Sequence, residues 1–200
     1  MSLLAPVNNT YRSSVNLLEH AGGLPLLLLR LYLAPIMMQA GWNKFAAFDA
    51  TVSWFGDGLG LPLPWLMALL AAGTELVGGA LLIVGLATRL VSIPLMITML
   101  VAIFTVHWDN GWLAVSDASS WLANDRVVEA VERKERIKSI LREHGNYGWL
   151  TGRGPVTILN NGIEFAATYF IMLFTLLCFG GGRYLSFDYW IARWAARRGN

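Results

Sequence analysis

The chain has 200 residues, of which 56% are apolar and only 14% charged, with a net charge of +2. Soluble domains sit nearer about 45–50% apolar and about 25% charged, so this balance, with a mean hydropathy of +0.50, excludes a disordered chain, a basic nucleic-acid-binding domain and a small disulfide scaffold. It points to a membrane, and one cysteine, Cys178, permits no intrachain disulfide and no cysteine-only metal site.

Four stretches are nearly free of charge: 24–44, 65–86, 89–107 and 161–180. A helix rises about 1.5 Å per residue, so about 20 residues cross a hydrocarbon core of about 30 Å. Each stretch is long enough to span once. Helices are the expected form, because lipid offers no partner to open backbone groups. The expected fold class is therefore all-α: an integral membrane four-helix bundle forming a single domain over 1–200.

The connections differ in kind. Residues 49–64 read DATVSWFGDGLGLPLP, whose glycines and prolines predict an irregular interfacial loop. Ala87 and Thr88 make a tight turn. The insertion 108–160 holds 14 of the 28 charged residues. Within it, 125–143 predicts an amphipathic helix, capped by Asn124 or Asp125 and ended by Gly145. Val127, Val131, Ile137 and Leu141 fall near one face, with Glu129/Arg133 and Glu132/Arg136 as pairs on the wet side. Residues 186–198 predict an interfacial helix that mixes Trp190 and Trp194 with Arg193, Arg197 and Arg198. The first apolar run is too long for a signal peptide and carries Arg30 and Gln39, so it is expected to be retained.

With four spans the termini share a side. That side carries Arg12, Arg89, Arg183, Arg193, Arg197 and Arg198; the other carries eight basic residues, but most of these stand far from a span end. Weighting residues near the ends places both termini in the cytoplasm and the insertion outside.

A charge at bilayer depth costs at least about 2.5–3.5 kcal/mol on insertion scales, so such groups are buried and paired. Here they are Arg30, Glu75 and Glu164, with Lys44 and His107 near span ends. A stripe of small residues, Ala68, Ala71, Ala72, Gly78, Gly79 and Gly85, shares the Glu75 side, so Glu75 is expected to face another helix. An Arg30–Glu75 ion pair is the natural expectation, serving either helix packing or proton- or electron-coupled chemistry. Lys44, His107 and Glu164 are expected near one level at the outer end, with Trp42, Trp65, Trp108 and Trp112 around them. Lys44 and Glu164 would neutralise each other, and a polar pocket with aromatic walls would admit a quinone head group. The tryptophans also suit a plain interfacial belt. His20, His107 and His144 lack ligand spacing, so no metal site is expected, and no cofactor is evident apart from the quinone.

Read span by span, the chain resembles the DoxX family of small membrane proteins. The first helix reads LLLLRLYLAPIMMQAGWNKF, with Arg30, Gly41 and Lys44. TELVGGALLIVGLATRL follows, with Glu75, Gly78, Gly79, Gly85, Thr88 and Arg89. The third span ends FTVHW, and GGGRYLSFD follows the fourth. The resemblance implies an inner-membrane protein of about four helices associated with redox systems, including quinone-reactive subunits of thiosulfate:quinone oxidoreductases. It implies a redox protein partner but supplies no established nucleophile. A non-enzymatic scaffold anchoring partner proteins is the alternative. A transport component is a third reading, and would need a homo-oligomer to build a path.

Overall fold

The computed structural model describes residues 11, 12, 15, 18, 19 and 21–198; His20 lies outside them. Among the described residues the regular structure is helical, apart from one isolated antiparallel bridge between Val115 and Leu159. The helices are α1 (Gly23–Ala46), α2 (Phe48–Ser53), α3 (Pro64–Val84), α4 (Thr88–Ala102), α5 (Asp125–His144), α6 (Tyr147–Leu150), α7 (Glu164–Phe179) and α8 (Phe187–Arg198). Alpha-helix α4 continues through a π-helical turn, Ile103–His107, and a 3-10 turn, Trp108–Asn110.

Three helical stretches, Gly23–Ala46, Pro64–Val84 and Thr88–Asn110, are long and apolar enough to cross a membrane. Helix α7 has 16 residues. At about 1.5 Å each they rise about 24 Å, short of a typical hydrocarbon core. Its start is delayed because Asn161, Gly162 and Ile163 are held in backbone bonds to Ala114, Leu113 and Gly111. The link expected to be irregular is helical as far as Gly58, through α2 and a π-helical turn at Trp54–Gly58. The breakers cluster only after Phe55, and the chain re-enters helix at Pro64 in the first turn of α3.

The described residues fall into two compact units, Met1–Thr98 with Ile171–Asn200, and Met99–Phe170. In the first unit the core is the seam between α1 and α3. Leu33, Ala34 and Met37 of α1 and Ala68, Ala72 and Leu82 of α3 are buried there. Glycine sets how close the helices come. A β-carbon at Gly41 would lie 2.5 Å from the Leu76 nitrogen, and one at Gly79 would lie 2.8 Å from the Ala34 oxygen. Of the expected small-residue stripe, Ala68, Ala72, Gly78 and Gly79 lie on the buried face of α3 with Glu75, while Ala71 is half-buried and Gly85 stands just past the helix end.

In the second unit, residues 111–116 and 158–164 run side by side. Ser116 donates to Ile158, Asn160 and Asn161 to Ala114, Gly162 to Leu113, Ile163 to Gly111, and Glu164 to Trp112. Gly162 makes this possible, since a β-carbon there would lie 2.5 Å from the Gly111 and Leu113 oxygens. Helix α5 begins as expected, with the Asn124 side chain accepting from the Val127 amide at 3.1 Å. Its apolar face is buried only at the start: Val127 and Ala130 are covered, while Ile137 is exposed. Glu129 pairs with Arg133 at 2.8 Å, and Glu135 pairs with Lys138 at 2.7 Å.

Candidate functional site

The ionisable residues of the first unit do not pair as expected. Glu75 Oε2 lies 2.6 Å from Lys44 Nζ, not against Arg30. The reason is register. Gly41 seats α1 on the backbone of Ala72 and Leu76. Lys44 is one turn further along α1 than Gly41, so its ammonium comes level with Glu75. The Glu75 side chain is 5% exposed and that of Lys44 24%. The pair is thus closed on the carboxylate side and reachable on the ammonium side.

Phe45 follows Lys44 in sequence and is exposed. Phe45 stacks with Phe48 at 6.2 Å between centroids, and Phe48 meets Trp65 edge-on at 6.2 Å. Trp42, two residues before Lys44 on α1, is also exposed. Gln39 donates to Asn43 Oδ1 at 2.7 Å, a second polar contact on the same helix.

Arg30 is fully buried and spends its guanidinium on backbone. Nη1 donates to the carbonyls of Leu82 at 3.1 Å, Ile83 at 3.4 Å and Leu185 at 3.2 Å. Nη2 donates to Tyr184 at 2.7 Å and Leu185 at 3.2 Å. The last carbonyls of a helix have no amide partner and carry the negative end of its dipole. Arg30 therefore caps the C-terminus of α3 and ties it to the segment before α8. Gly85 (φ 64°) turns the chain there, and a β-carbon on it would collide with the guanidinium.

The matching N-terminal cap is Asp188. Its Oδ1 accepts from the Ala87 amide at 2.6 Å and its Oδ2 from the Thr88 amide at 2.8 Å. The Asp188 amide and the Ser186 hydroxyl both donate to the Gly85 oxygen. The GLATR turn and the YLSFD segment are thus one interlocked structure.

His107 and Glu164 lie in the second unit with partners of their own. His107 Nδ1 is 2.8 Å from the Asn161 oxygen. A carbonyl only accepts, so Nδ1 carries the proton, and in the neutral ring Nε2 keeps its lone pair. Asn110 Nδ2 shares the same carbonyl at 3.0 Å. Asn160 is buried and donates to Asn110 at 2.8 Å and Leu113 at 2.7 Å. Glu164 Oε2 accepts from the Ala114 amide at 2.9 Å, so it does not serve as the partner expected for Lys44. Trp108 is exposed, its ring 5.3 Å from that of Phe104. Among the described residues no group of three or more His, Cys, Asp or Glu is placed to hold a metal ion.

Sequence reasoning missed the two caps and the π-helical turn that ends at His107. Such turns are frequent at functional sites, and no residue pattern announces one.

Residues 25–108 match the model of the DoxX family. A Bacillus subtilis (strain 168) protein named "Putative oxidoreductase CatD" is 40% identical over 80 residues, which cover 40% of this chain and 58% of that protein. The match thus spans less than two thirds of that relative. No solved structure matches the chain.

Proposed function

From the premise that residues 25–108 form a DoxX region, we propose that this protein is the quinone-reactive membrane subunit of a redox system. The observation that carries the reading is the Lys44–Glu75 pair, closed on one side and reachable on the other. The name of the B. subtilis relative supports an oxidoreductase setting.

A quinone head group is flat, aromatic and bounded by two carbonyl oxygens. The rings of Phe45, Phe48 and Trp65 suit its faces. The Lys44 ammonium suits one carbonyl as a charge-assisted donor. Reduction of the quinone takes two electrons and two protons and yields the hydroquinone. The electrons come from a partner redox protein, and the two protons from water on the exposed side of Lys44. Lys44 holds the carbonyl that gains charge, and Glu75 holds the Lys44 ammonium in place.

In this reading α7 is the fourth span, its short length met by local thinning of the bilayer. Both termini face the cytoplasm across an inner membrane and the insertion 108–160 lies outside. Single cysteines at Ser119 and Ala196 in a Cys178→Ser chain test the arrangement: a membrane-impermeant maleimide labels the first in intact cells and spares the second. Labelling of the second overturns it.

Quinone binding is tested on protein reconstituted in nanodiscs. A short-chain ubiquinone analogue quenches tryptophan fluorescence saturably in the wild type. Lys44→Ala weakens the quench at least tenfold, and Glu75→Gln leaves the protein in the membrane but abolishes quinone-dependent turnover with its partner. A wild type without saturable quench removes the quinone reading. The scaffold alternative then stands, supported by the wholly structural use of Arg30, and co-purifying partners are its mark.

A further inference from the structure

Helix α8 presents a face that nothing among the described residues covers. None of its residues is buried. At 100° per residue, Phe187, Trp190, Ile191 and Trp194 fall within an arc of about 100°, and all four are exposed. Asp188 points to a different side, where it holds the first amides of α4. Among the described residues the aromatic face is therefore uncovered, while the helix itself is fixed at its base.

Charge around this face has one sign. Arg193, Arg197 and Arg198 lie on α8, with Arg183 just before it and Arg89 at the start of α4, and all five are exposed. No ion pair involves any of them among the described residues. The acid between Gly180 and Arg198 is Asp188, and its carboxylate is already engaged by two backbone amides. Arg198 lies over the Trp194 ring, 3.7 Å from its centroid, so cation and aromatic ring form one surface.

We propose that α8 and the arginines at its base form a docking surface for anionic phospholipid. The aromatic face enters the acyl boundary, and the arginines meet the head-group phosphates. Tryptophan at head-group depth and arginine against phosphate are each favourable there. Because Asp188 and Ser186 bind the Gly85–Thr88 turn, lipid held by α8 also holds the α3–α4 turn at the membrane surface. This inference does not depend on the quinone reading.

The test uses the full chain with Cys178→Ser and an environment-sensitive fluorophore at Ile191→Cys. In nanodiscs of phosphatidylcholine with phosphatidylglycerol the emission shifts to the blue relative to phosphatidylcholine alone, and high salt reverses the shift. Replacing Arg193, Arg197 and Arg198 by Gln lowers the insertion equilibrium roughly a hundredfold and leaves thermal unfolding in detergent unchanged. Equal emission in the two lipids, or a triple variant like the parent, overturns the proposal. Shielding in detergent that grows with protein concentration also overturns it, in favour of a second copy of the chain.

Discussion

Lys44 and Glu75 meet across the α1–α3 seam at 2.6 Å, and the contact depends on a residue that carries no charge. Gly41 brings the two backbones together, and only then does a lysine one turn later reach the carboxylate.

Gly41→Ala therefore separates the pair. Its added carbon would meet backbone at 2.5 Å, which no rotamer change relieves, and overpacking of this kind costs about 1–3 kcal/mol. Gly73→Ala is the control, since nothing lies within 4 Å of a β-carbon there. It is neutral or stabilises by up to about 1 kcal/mol through helix propensity. Unfolding of both variants in detergent checks the contrast; equal losses would reject the role of Gly41.

The pair itself answers to a double-mutant cycle. Breaking a fully buried pair costs roughly 3–5 kcal/mol, and the partial exposure of Lys44 reduces that for this site. Lys44→Met leaves the Glu75 carboxylate buried alone and is more destabilising than Lys44→Met with Glu75→Leu. Additive losses in unfolding free energy would count against the pairing.

Arg30 and Asp188 are expected to behave as caps. Asp188→Ala removes the acceptor of two amides and costs about 0.5–2 kcal/mol. Arg30→Lys keeps the charge but lacks the planar fork that reaches Leu82, Tyr184 and Leu185 together. It is expected to lose at least about 1.5–3 kcal/mol. An Arg30→Lys protein that melts like the wild type would show that charge alone suffices.

In the insertion, Asp117 accepts from the Ser119 hydroxyl at 2.6 Å and the Ser119 amide at 2.9 Å. These bonds, the hydroxyl first, hold its carboxyl below the ordinary aspartate range. A depressed folded value stabilises above that range, and the contribution is lost as pH falls through it. Ser119→Ala raises the Asp117 pKa, read from the side-chain carboxyl carbon by NMR titration. An unchanged titration would place the cause elsewhere.

Hydropathy marked the three long helices because crossing lipid demands an unbroken apolar run. The small residues around Glu75 marked the buried face of α3 because only they let a second helix come close. The partner of Glu75 was not legible. Periodicity fixes which face of one helix is buried, but not how far two helices slide past each other, and that offset gave Glu75 to Lys44. The role of Arg30 was hidden for another reason: its partners are carbonyl oxygens, which every residue has and no sequence pattern distinguishes. Asn161, placed by composition at the start of the fourth apolar stretch, instead has a left-handed backbone (φ 60°), which suits asparagine and stands outside the helix.

The two backbone segments 111–116 and 158–164, joined side by side, bear on how this chain tolerates change. Chain closure is settled at that mouth, by hydrogen bonds and by the missing side chain of Gly162. What lies beyond it, 117–157, is a purse on a drawn string. Lengthening it adds only a slowly growing entropy, and the two ends still leave from the same place. Its outer part, beyond the buried Val127 and Ala130, can be trimmed, exchanged or made to carry a tag as long as the stitch is kept.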